Sequence, residues 1–438
     1  MTAMSVDTGI LFDQKTVNQL SEKHQEPDWM RQFRLEALQA AGRLDLPRVQ
    51  KTRIDRWNFT RFEPMAEASP LDSLKALPES VQSLLSSDME KDNVIVQKNA
   101  DPVYVHLDAA LKEKGIIFTD LASAVRDYPD LVRKYFMTKG VRPDEHRLAA
   151  LHAALWSGGV FLYVPKGVEV DLPFQSLFWA DGAGVGLLSH VLVVAEANSR
   201  VDLVVNVVSE QEEEAVHNGV LEAIVGQGAR VRVATINHMG KQATDVFYRR
   251  GVVDRDGQLE WLVGDLSGGN TLSDITTHLN GTGGQVDVKS IVVGSGEQRS
   301  NVTASVHHWG THTKSDILSR GVMRDQANSI INGITKIEKG ATKADGQQAE
   351  NVLMLNSRAR GDANPILLID ENDVKAGHAA SVGRIDEIQM FYLMSRGISR
   401  EEAEKLIIFG FLAPVLSAIP FESLKQQLNR VIERKLQR

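Results

Sequence analysis

Apolar residues recur at helical spacing through the first third of the chain. They stand three or four positions apart in two clear groups: Trp29 with Phe33, and Leu148, Leu151 and Leu155. This spacing places them on one face of an amphipathic helix. We therefore predict an N-terminal helical region over residues 1–155.

The period changes to two at Val160. Short alternating or continuous apolar runs, such as VFLYV at 160–164 and VDLVV at 201–205, are separated by Gly, Asn and Asp. A turn residue followed by alternating apolar positions recurs along this stretch, and its later spacing is 22 residues; the positions are Val201, Val231, Leu259, Val286, Ile330, Val352 and Val374. Repeated strands without helices between them are typical of a solenoid. We predict a right-handed parallel β-helix over residues 156–384, with a large antiparallel sandwich as the alternative.

Helical spacing returns after residue 384. Asp386 and Ser399 each stand three positions before a Gln or Glu, which is the spacing of a capping box, and Gly397 lies where the first helix should end. A last amphipathic helix starts at about Phe421. We predict a C-terminal helical region over residues 385–438 and a mostly β fold. Because an open coil exposes strand edges, we expect the helical regions to cover both ends of the solenoid.

Composition and charge narrow the class of protein. The chain has 438 residues, of which 42% are hydrophobic and 24% charged, as in ordinary globular proteins. Its net charge of -8 argues against nucleic acid as a partner, since that would require a basic face. The N-terminus does not resemble a signal peptide, and no run approaches the roughly 18 apolar residues of a membrane span. We expect a cytoplasmic protein that does not bind membranes.

The absence of cysteine restricts the chemistry further. Zero cysteines rule out disulfides, thiolate zinc sites, cysteine nucleophiles and any cysteine-ligated iron–sulfur cluster held by this chain alone. The chain also lacks the GxxxxGK[ST] sequence of a phosphate-binding loop. ATP hydrolysis is therefore not expected in this chain.

Histidines and acidic residues offer few convincing sites. His307, His308 and His312 form the densest histidine group, but adjacent strand residues point to opposite faces, which favours polar surface positions over a metal site. The acidic segment 370–373 lacks the spacing of a calcium loop and favours a turn between coils. His378 lies near the end of the predicted solenoid, where either a structural role or a role at a docked partner fits.

Three segments resemble the SufB/SufD family of iron–sulfur cluster assembly scaffolds. They are ALWSGGVFLYVPKGV at 154–168, GDANP at 361–365 with the segment 373–386, and MFYLMSRGIS at 390–399. The resemblance covers roughly residues 150–412. It implies a parallel β-helix between helical ends, a heterodimer of SufB-type and SufD-type paralogues, and a SufC-type ABC ATPase bound at the C-terminal helical region.

Within the family, the chain resembles SufD more than SufB. SufB-type chains tend to carry a glutamate and, in many members, a cysteine at positions that here are Ala379 and Ala359. Without a thiolate, this chain contributes at most a nitrogen or oxygen ligand to a cluster. The resemblance places His378 at the paralogue interface, where two roles stay open: an iron or cluster ligand shared with the partner, or a proton-transfer group. We expect a transient cluster in the complex and none held stably by the isolated chain; flavin binding is left open.

The resemblance also assigns an ATPase-docking surface to the C-terminal helices. The residues expected there are Tyr392, Arg396, Gly397, Ile407, Ile408 and Phe411. The resulting interpretation is a non-catalytic scaffold subunit of the SUF system, with ATP hydrolysis in the partner and with homodimer formation open for the isolated chain. The alternatives are a β-helix enzyme acting on carbohydrates and a homodimeric structural protein with no metal role.

Overall fold

The computed structural model describes residues 11–85, 93–209 and 212–436. The α-helices in these residues are α1 (Gln14–Lys23), α2 (Asp28–Ala41), α3 (Glu79–Gln82), α4 (Ala109–Glu113), α5 (Leu121–Asp127), α6 (Pro129–Tyr135), α7 (Arg147–Leu155), α8 (Glu387–Ser395), α9 (Arg400–Leu416) and α10 (Glu422–Leu436). A short 3-10 helix spans Leu74–Ala76. None of the described helices combines the length and the apolar character needed to cross a bilayer.

Strands fill the centre of the chain. In order they are β1 (Val94–Lys98), β2 (Asp101–His106), β3 (Ile117–Asp120), β4 (Gly158–Val164), β5 (Phe174–Ala180), β6 (Val185–Leu187), β7 (Ser189–Ala195), β8 (Arg200–Ser209), β9 (Ala215–Val225), β10 (Arg230–His238), β11 (Thr244–Val253), β12 (Gln258–Asp265), β13 (Asn270–Leu279), β14 (Gln285–Gly294), β15 (Arg299–His308), β16 (Lys314–Met323), β17 (Asn328–Ile337), β18 (Asp345–Met354), β19 (Arg360–Ile369) and β20 (Lys375–Arg384).

The strands form a flattened β-solenoid of about eight turns. Sheet 1 has the order β2-β1-β5-β8-β10-β12-β14-β16-β18-β20, and sheet 2 has the order β19-β17-β15-β13-β11-β9-β7-β4-β3, with β6 paired to β9. Neighbouring strands of the central coils pair in parallel and in register, as Val231 does with Val201 and Leu259. The predicted mostly β solenoid between helical ends is therefore confirmed.

The coils are longer than the predicted repeat. Side-chain hydrogen bonds between successive coils join residues 28 to 31 positions apart. The 22-residue spacing is wrong, because Ile330 lies in β17 of sheet 2 and Val352 in β18 of sheet 1. Each coil places one strand in each sheet, so the alternating pattern recurs twice per coil at unequal intervals.

The first coils are closed by short antiparallel strands and by helices. β2 pairs antiparallel with β1, and β3 pairs antiparallel with β4. Apolar residues of α1, α2 and α7 pack in one cluster with residues of β7, β9 and β11. Three strands thus lie within the region predicted to be helical, because strands of four to six residues leave too short a pattern to separate from helical spacing.

The C-terminal helices lie along the outer face of sheet 1 and do not cover the end of the solenoid. Ile408 and Ile432 are buried in one cluster with Ile291 and Val322 of β14 and β16. The Gln427 side-chain amide of α10 donates a hydrogen bond of 2.6 Å to Asn206 of β8. The expectation that helices cover both ends is therefore wrong for the C-terminal end.

Glu222 fastens the N-terminal region to the solenoid. Its buried carboxylate on β9 accepts hydrogen bonds from the backbone N–H groups of Met137, Gly140 and Val141, at 2.7, 3.1 and 3.1 Å. Burial raises its pKa to about 7, although these three donors lower it. The segment between α6 and α7 therefore depends on one side chain of the solenoid for three of its backbone hydrogen bonds.

We predict that Glu222→Ala lowers the free energy of unfolding by about 3 kcal/mol, because three buried N–H groups lose their acceptor. Urea denaturation of the full chain measures the change. Glu214→Ala, which removes an exposed carboxylate just before the same strand, should leave the unfolding midpoint unchanged. Equal midpoints for the two variants would show that Glu222 does not anchor this segment.

Candidate functional site

The last coil of the solenoid ends in two edge strands. Among the described residues, β20 pairs only with β18, and β19 pairs only with β17. Leu368, Ile369 and Val382 are exposed at this end, Val382 by 45%. Pro365 within β19 lacks an N–H group and is tolerated there because β19 is an edge strand. We call this surface, formed by β19 and β20, the open end.

His378 lies on the inner face of the last coil. In β18, Gln348 faces the solenoid interior, where its side-chain oxygen accepts a hydrogen bond of 2.8 Å from Thr335 of the opposite sheet. His378 pairs with Gln348 in register, and paired residues of parallel strands point to the same face. His378 is nevertheless exposed, because no further coil in the described part of the chain covers β20. An imidazole is therefore accessible at the mouth of the solenoid interior.

Glu350 lies on the same inner face, one strand below. The residue is 0% exposed, and neither carboxylate oxygen has a hydrogen-bond partner among the described residues. It pairs in register with Ala380 of β20, which places a methyl group above it in the last coil. Burial raises the pKa of the Glu350 carboxyl to about 7. The open end thus has an accessible imidazole and, beneath it, an unpaired carboxyl.

The other polar candidates are accounted for by local structure. His308 faces inward and hydrogen-bonds through its two ring nitrogens to Thr313 and Ser315, at 2.8 and 2.9 Å, while His312 lies in a turn at a φ of 56°. The segment 370–373 forms the turn between β19 and β20. Within the described ranges no three His, Asp or Glu side chains converge as a metal site.

The turn between α8 and α9 is built as its sequence predicts. Asp386 caps α8 by accepting a hydrogen bond from the Ile388 N–H, and Ser399 caps α9 by accepting one from the Glu402 N–H. Gly397 has a φ of 88°, the left-handed conformation that ends a helix at glycine. The two helices are therefore held as a defined hairpin.

The outer face of this hairpin is apolar and exposed. Ile388 and Phe391 of α8 are 78% and 72% exposed, and Tyr392 and Leu406 are exposed beside them. The Arg396 guanidinium donates a hydrogen bond of 3.3 Å to the Tyr392 hydroxyl and lies 5.1 Å from its ring centroid. We call this surface the hairpin face. It is larger than the scattered single apolar residues normal on a soluble protein.

The predicted docking residues divide between this face and the core. Tyr392, Arg396 and Gly397 lie at the hairpin face, but Ile408 is 2% exposed and packs against sheet 1. Phe411 is half-buried under the guanidinium of Arg320, with 5.0 Å between the guanidinium carbon and the ring centroid. The assignment of Ile408 to a docking surface is therefore wrong, because the chain itself covers its side chain. Ile407 is half-buried against the same cluster.

Sequence reasoning missed Glu350. Its signal in the sequence is a glutamate two positions from both Gln348 and Val352, on the same face of the strand. An inward-facing residue of a strand is expected to be apolar. That signal becomes readable only when the register of the coil is known, and the predicted register was wrong. The predicted docking residues left out the exposed Ile388 and Phe391, since periodicity alone does not tell which face a helix buries.

We predict that Glu350→Gln stabilises the chain more at about pH 8 than at about pH 5. The folded-state pKa of about 7 lies above the unfolded value of 4.5, so the wild-type chain loses stability as the pH rises between these two values. The glutamine does not titrate, so its advantage should grow by ~2 kcal/mol across this range. Urea denaturation at both pH values measures it.

The control for this prediction is Asp370→Asn, which makes the same charge change at an exposed position of the open end. It should leave the pH dependence of unfolding as it is in the wild type. A Glu350→Gln advantage that is equal at the two pH values would contradict the assignment of a buried, titrating carboxyl.

Comparison with known proteins agrees with the resemblance. The family described as SufBD protein N-terminal region matches residues 11–176, and the family described as SUF system FeS cluster assembly, SufBD core domain, matches residues 178–411. Iron-sulfur cluster assembly protein SufD of Bacillus subtilis is 48% identical over 436 residues, covering 99% of this chain and 100% of that protein. An iron-sulfur cluster assembly SufBD family protein of Staphylococcus epidermidis is 30% identical, covering 95% of this chain and 91% of that protein. The chain therefore belongs to the SufBD family of the SUF system for iron–sulfur cluster assembly.

Proposed function

We propose that this chain is the SufD-type, non-catalytic subunit of a SUF scaffold complex. It pairs with a SufB-type paralogue through the open end and binds a SufC-type ATPase on the hairpin face. Iron and sulfide are the substrates that the complex assembles into a transient cluster. The observation that carries the proposal is the open end, because β19 and β20 expose strand edges and apolar side chains in the described chain.

Edge strands support pairing with another solenoid. An edge strand presents N–H and C=O groups that a second strand can satisfy, and soluble proteins normally cover or blunt such edges. At the open end Leu368, Ile369 and Val382 would be removed from water at the same time. A paralogue with the same architecture would present a matching end, so the two solenoids would join end to end.

His378 supports a role in cluster chemistry at that junction. Its imidazole is accessible at the centre of the open end, and a neutral imidazole is a common ligand for iron. Because the chain lacks cysteine, thiolate ligands and the acceptor of sulfur would come from the paralogue. This chain would then supply nitrogen or oxygen ligands and the surface that closes the site.

The hairpin face supports docking of the ATPase. Ile388, Phe391 and Leu406 remain exposed although the same hairpin buries Ile408 against sheet 1. Apolar anchors of this kind dominate the affinity of interfaces, while charged residues at the rim such as Arg396 and Glu401 mainly affect the association rate. ATP hydrolysis in the docked partner would reach the cluster site through the rigid contact of α9 with sheet 1.

The most direct experiment is native mass measurement of the complex that this chain forms when all SUF subunits are co-expressed. The proposal requires a particle that contains the chain, a SufB-type paralogue and a SufC-type ATPase. A particle that contains only copies of this chain, with neither partner, would refute it and favour the homodimeric structural protein.

We predict that Phe391→Asp abolishes co-purification of the ATPase while the chain stays folded and paired with the paralogue. The reason is that an exposed apolar anchor is lost without disturbing the core. Leu172→Asp, at an apolar residue that is 59% exposed elsewhere, is the matched control and should retain the ATPase. Ile408→Asp should instead unfold the hairpin, because it buries a charge. ATPase binding that survives Phe391→Asp would place the docking site elsewhere.

A second prediction concerns the imidazole. His378→Asn should leave the melting temperature and the pairing with the paralogue within error of the wild type, because the side chain is exposed. Cluster formation by the assembled complex, followed by visible absorption under anaerobic conditions, should fall at least about tenfold. His312→Asn, at an exposed histidine of an earlier turn, should form clusters at the wild-type rate. Equal rates for both variants would assign His378 no part in assembly.

A further inference from the structure

The buried carboxyl of Glu350 is exceptional among the acidic residues of this chain. Other buried carboxylates have partners: Glu222 accepts three backbone N–H groups, and Asp245 accepts hydrogen bonds from His217, Ser267 and Asn237. In the described ranges, Glu350 is the buried acidic residue for which both oxygens lack a partner. Buried polar groups are nearly always hydrogen-bonded, so this exception indicates a partner that lies outside the chain.

The surroundings of Glu350 make room for its charged end. A Cβ atom on Gly333, in the opposite sheet, would lie 1.8 Å from Glu350 Oε1. Glycine in the middle of a strand weakens the strand, and the backbone of Gly333 is not in the left-handed region that would require glycine. The glycine is therefore explained by the carboxylate that projects towards it. Gly333 lowers the stability of its β-strand, and burial of the Glu350 carboxylate costs desolvation energy. Both costs arise from placing this carboxylate in the interior.

Glu350 and His378 are placed to act on one ligand. They lie on the same inner face of sheet 1, in adjacent strands and offset by two residues, since Gln348 pairs with His378 and Glu350 with Ala380. Strand spacing and rise place their Cα atoms roughly 8 Å apart. Side chains of this length can converge on one ion across such a distance, and Ala380, the residue of β20 paired with Glu350, adds only a methyl group beside them.

We propose that Glu350 is a second iron ligand of this chain, which supplies a carboxylate oxygen beside the imidazole nitrogen of His378 for a ferrous ion bound at the open end. This inference rests on the proposed function and deepens it. Imidazole together with carboxylate suits Fe²⁺. The ion supplies the positive charge that the buried carboxylate lacks. Two ligands do not complete a site, so the remaining ligands come from the paralogue.

The test measures Fe²⁺ binding, and Co²⁺ binding as a spectroscopic substitute, to the assembled complex under anaerobic conditions without a sulfur source. Glu350→Gln and His378→Asn should each weaken binding at least about tenfold and change the ligand-field absorption of Co²⁺. The loss of affinity in the double variant should differ from the sum of the two single losses, because both side chains act at one site. Asp370→Asn, which removes an exposed carboxylate at the same end, should bind as the wild type does.

The outcomes separate this inference from the proposed function. Wild-type metal binding and Co²⁺ absorption in a correctly assembled Glu350→Gln complex would overturn the inference and leave the scaffold role intact. If Glu350→Gln instead weakens pairing with the paralogue in the presence of a chelator, the carboxylate pairs with a group of the partner and the inference is also overturned. Glu350→Asp, which keeps the charge and shortens the reach, should bind metal with an affinity between those of the wild type and the glutamine variant.

Discussion

In a parallel solenoid, the backbone N–H and C=O groups of each coil form hydrogen bonds with the next coil. At the two ends of the solenoid this hydrogen bonding must stop. At the N-terminal end the chain stops it with antiparallel strands, β2 on β1 and β3 on β4. At the other end, within the residues that the structure describes, β19 and β20 have a coil on one side only. The C-terminal helices, which could have covered that end, lie along sheet 1 instead. The fold therefore ends in a surface suited to another strand-bearing partner.

Two features directly beneath the open end lower the stability of the chain. Glu350 is buried without a partner, and Gly333 opposite it weakens a central position of β17. Departures from local rules that have no compensation inside the chain are expected at functional sites. The hairpin face is a similar case, because α9 buries one side against sheet 1 while α8 exposes Ile388 and Phe391. Both surfaces are held rigidly by the solenoid that lies between them.

Much of the fold is readable from the sequence, because strand alternation, helix caps and Gly397 are local signals. The family could be identified because whole segments resemble known ones. The length of a coil could not be predicted, since the turns between strands vary in length and the two sheets contribute similar patterns. The burial of Glu350 depends on that register, and the burial of Ile408 depends on where α9 packs, so neither follows from local pattern. His378 was placed near the end of the solenoid correctly, whereas its inward orientation required the pairing with Gln348.

The most direct measurement of the central claim is hydrogen–deuterium exchange of this chain alone and bound to a SufB-type paralogue. If the open end is the assembly surface, backbone amides of β19 and β20 should exchange at least about tenfold more slowly in the pair, because a strand edge exposed in the free chain becomes hydrogen-bonded. Amides of α8 should be unaffected until the ATPase is added. Unchanged exchange in β19 and β20, together with protection on the outer face of either sheet, would contradict the account.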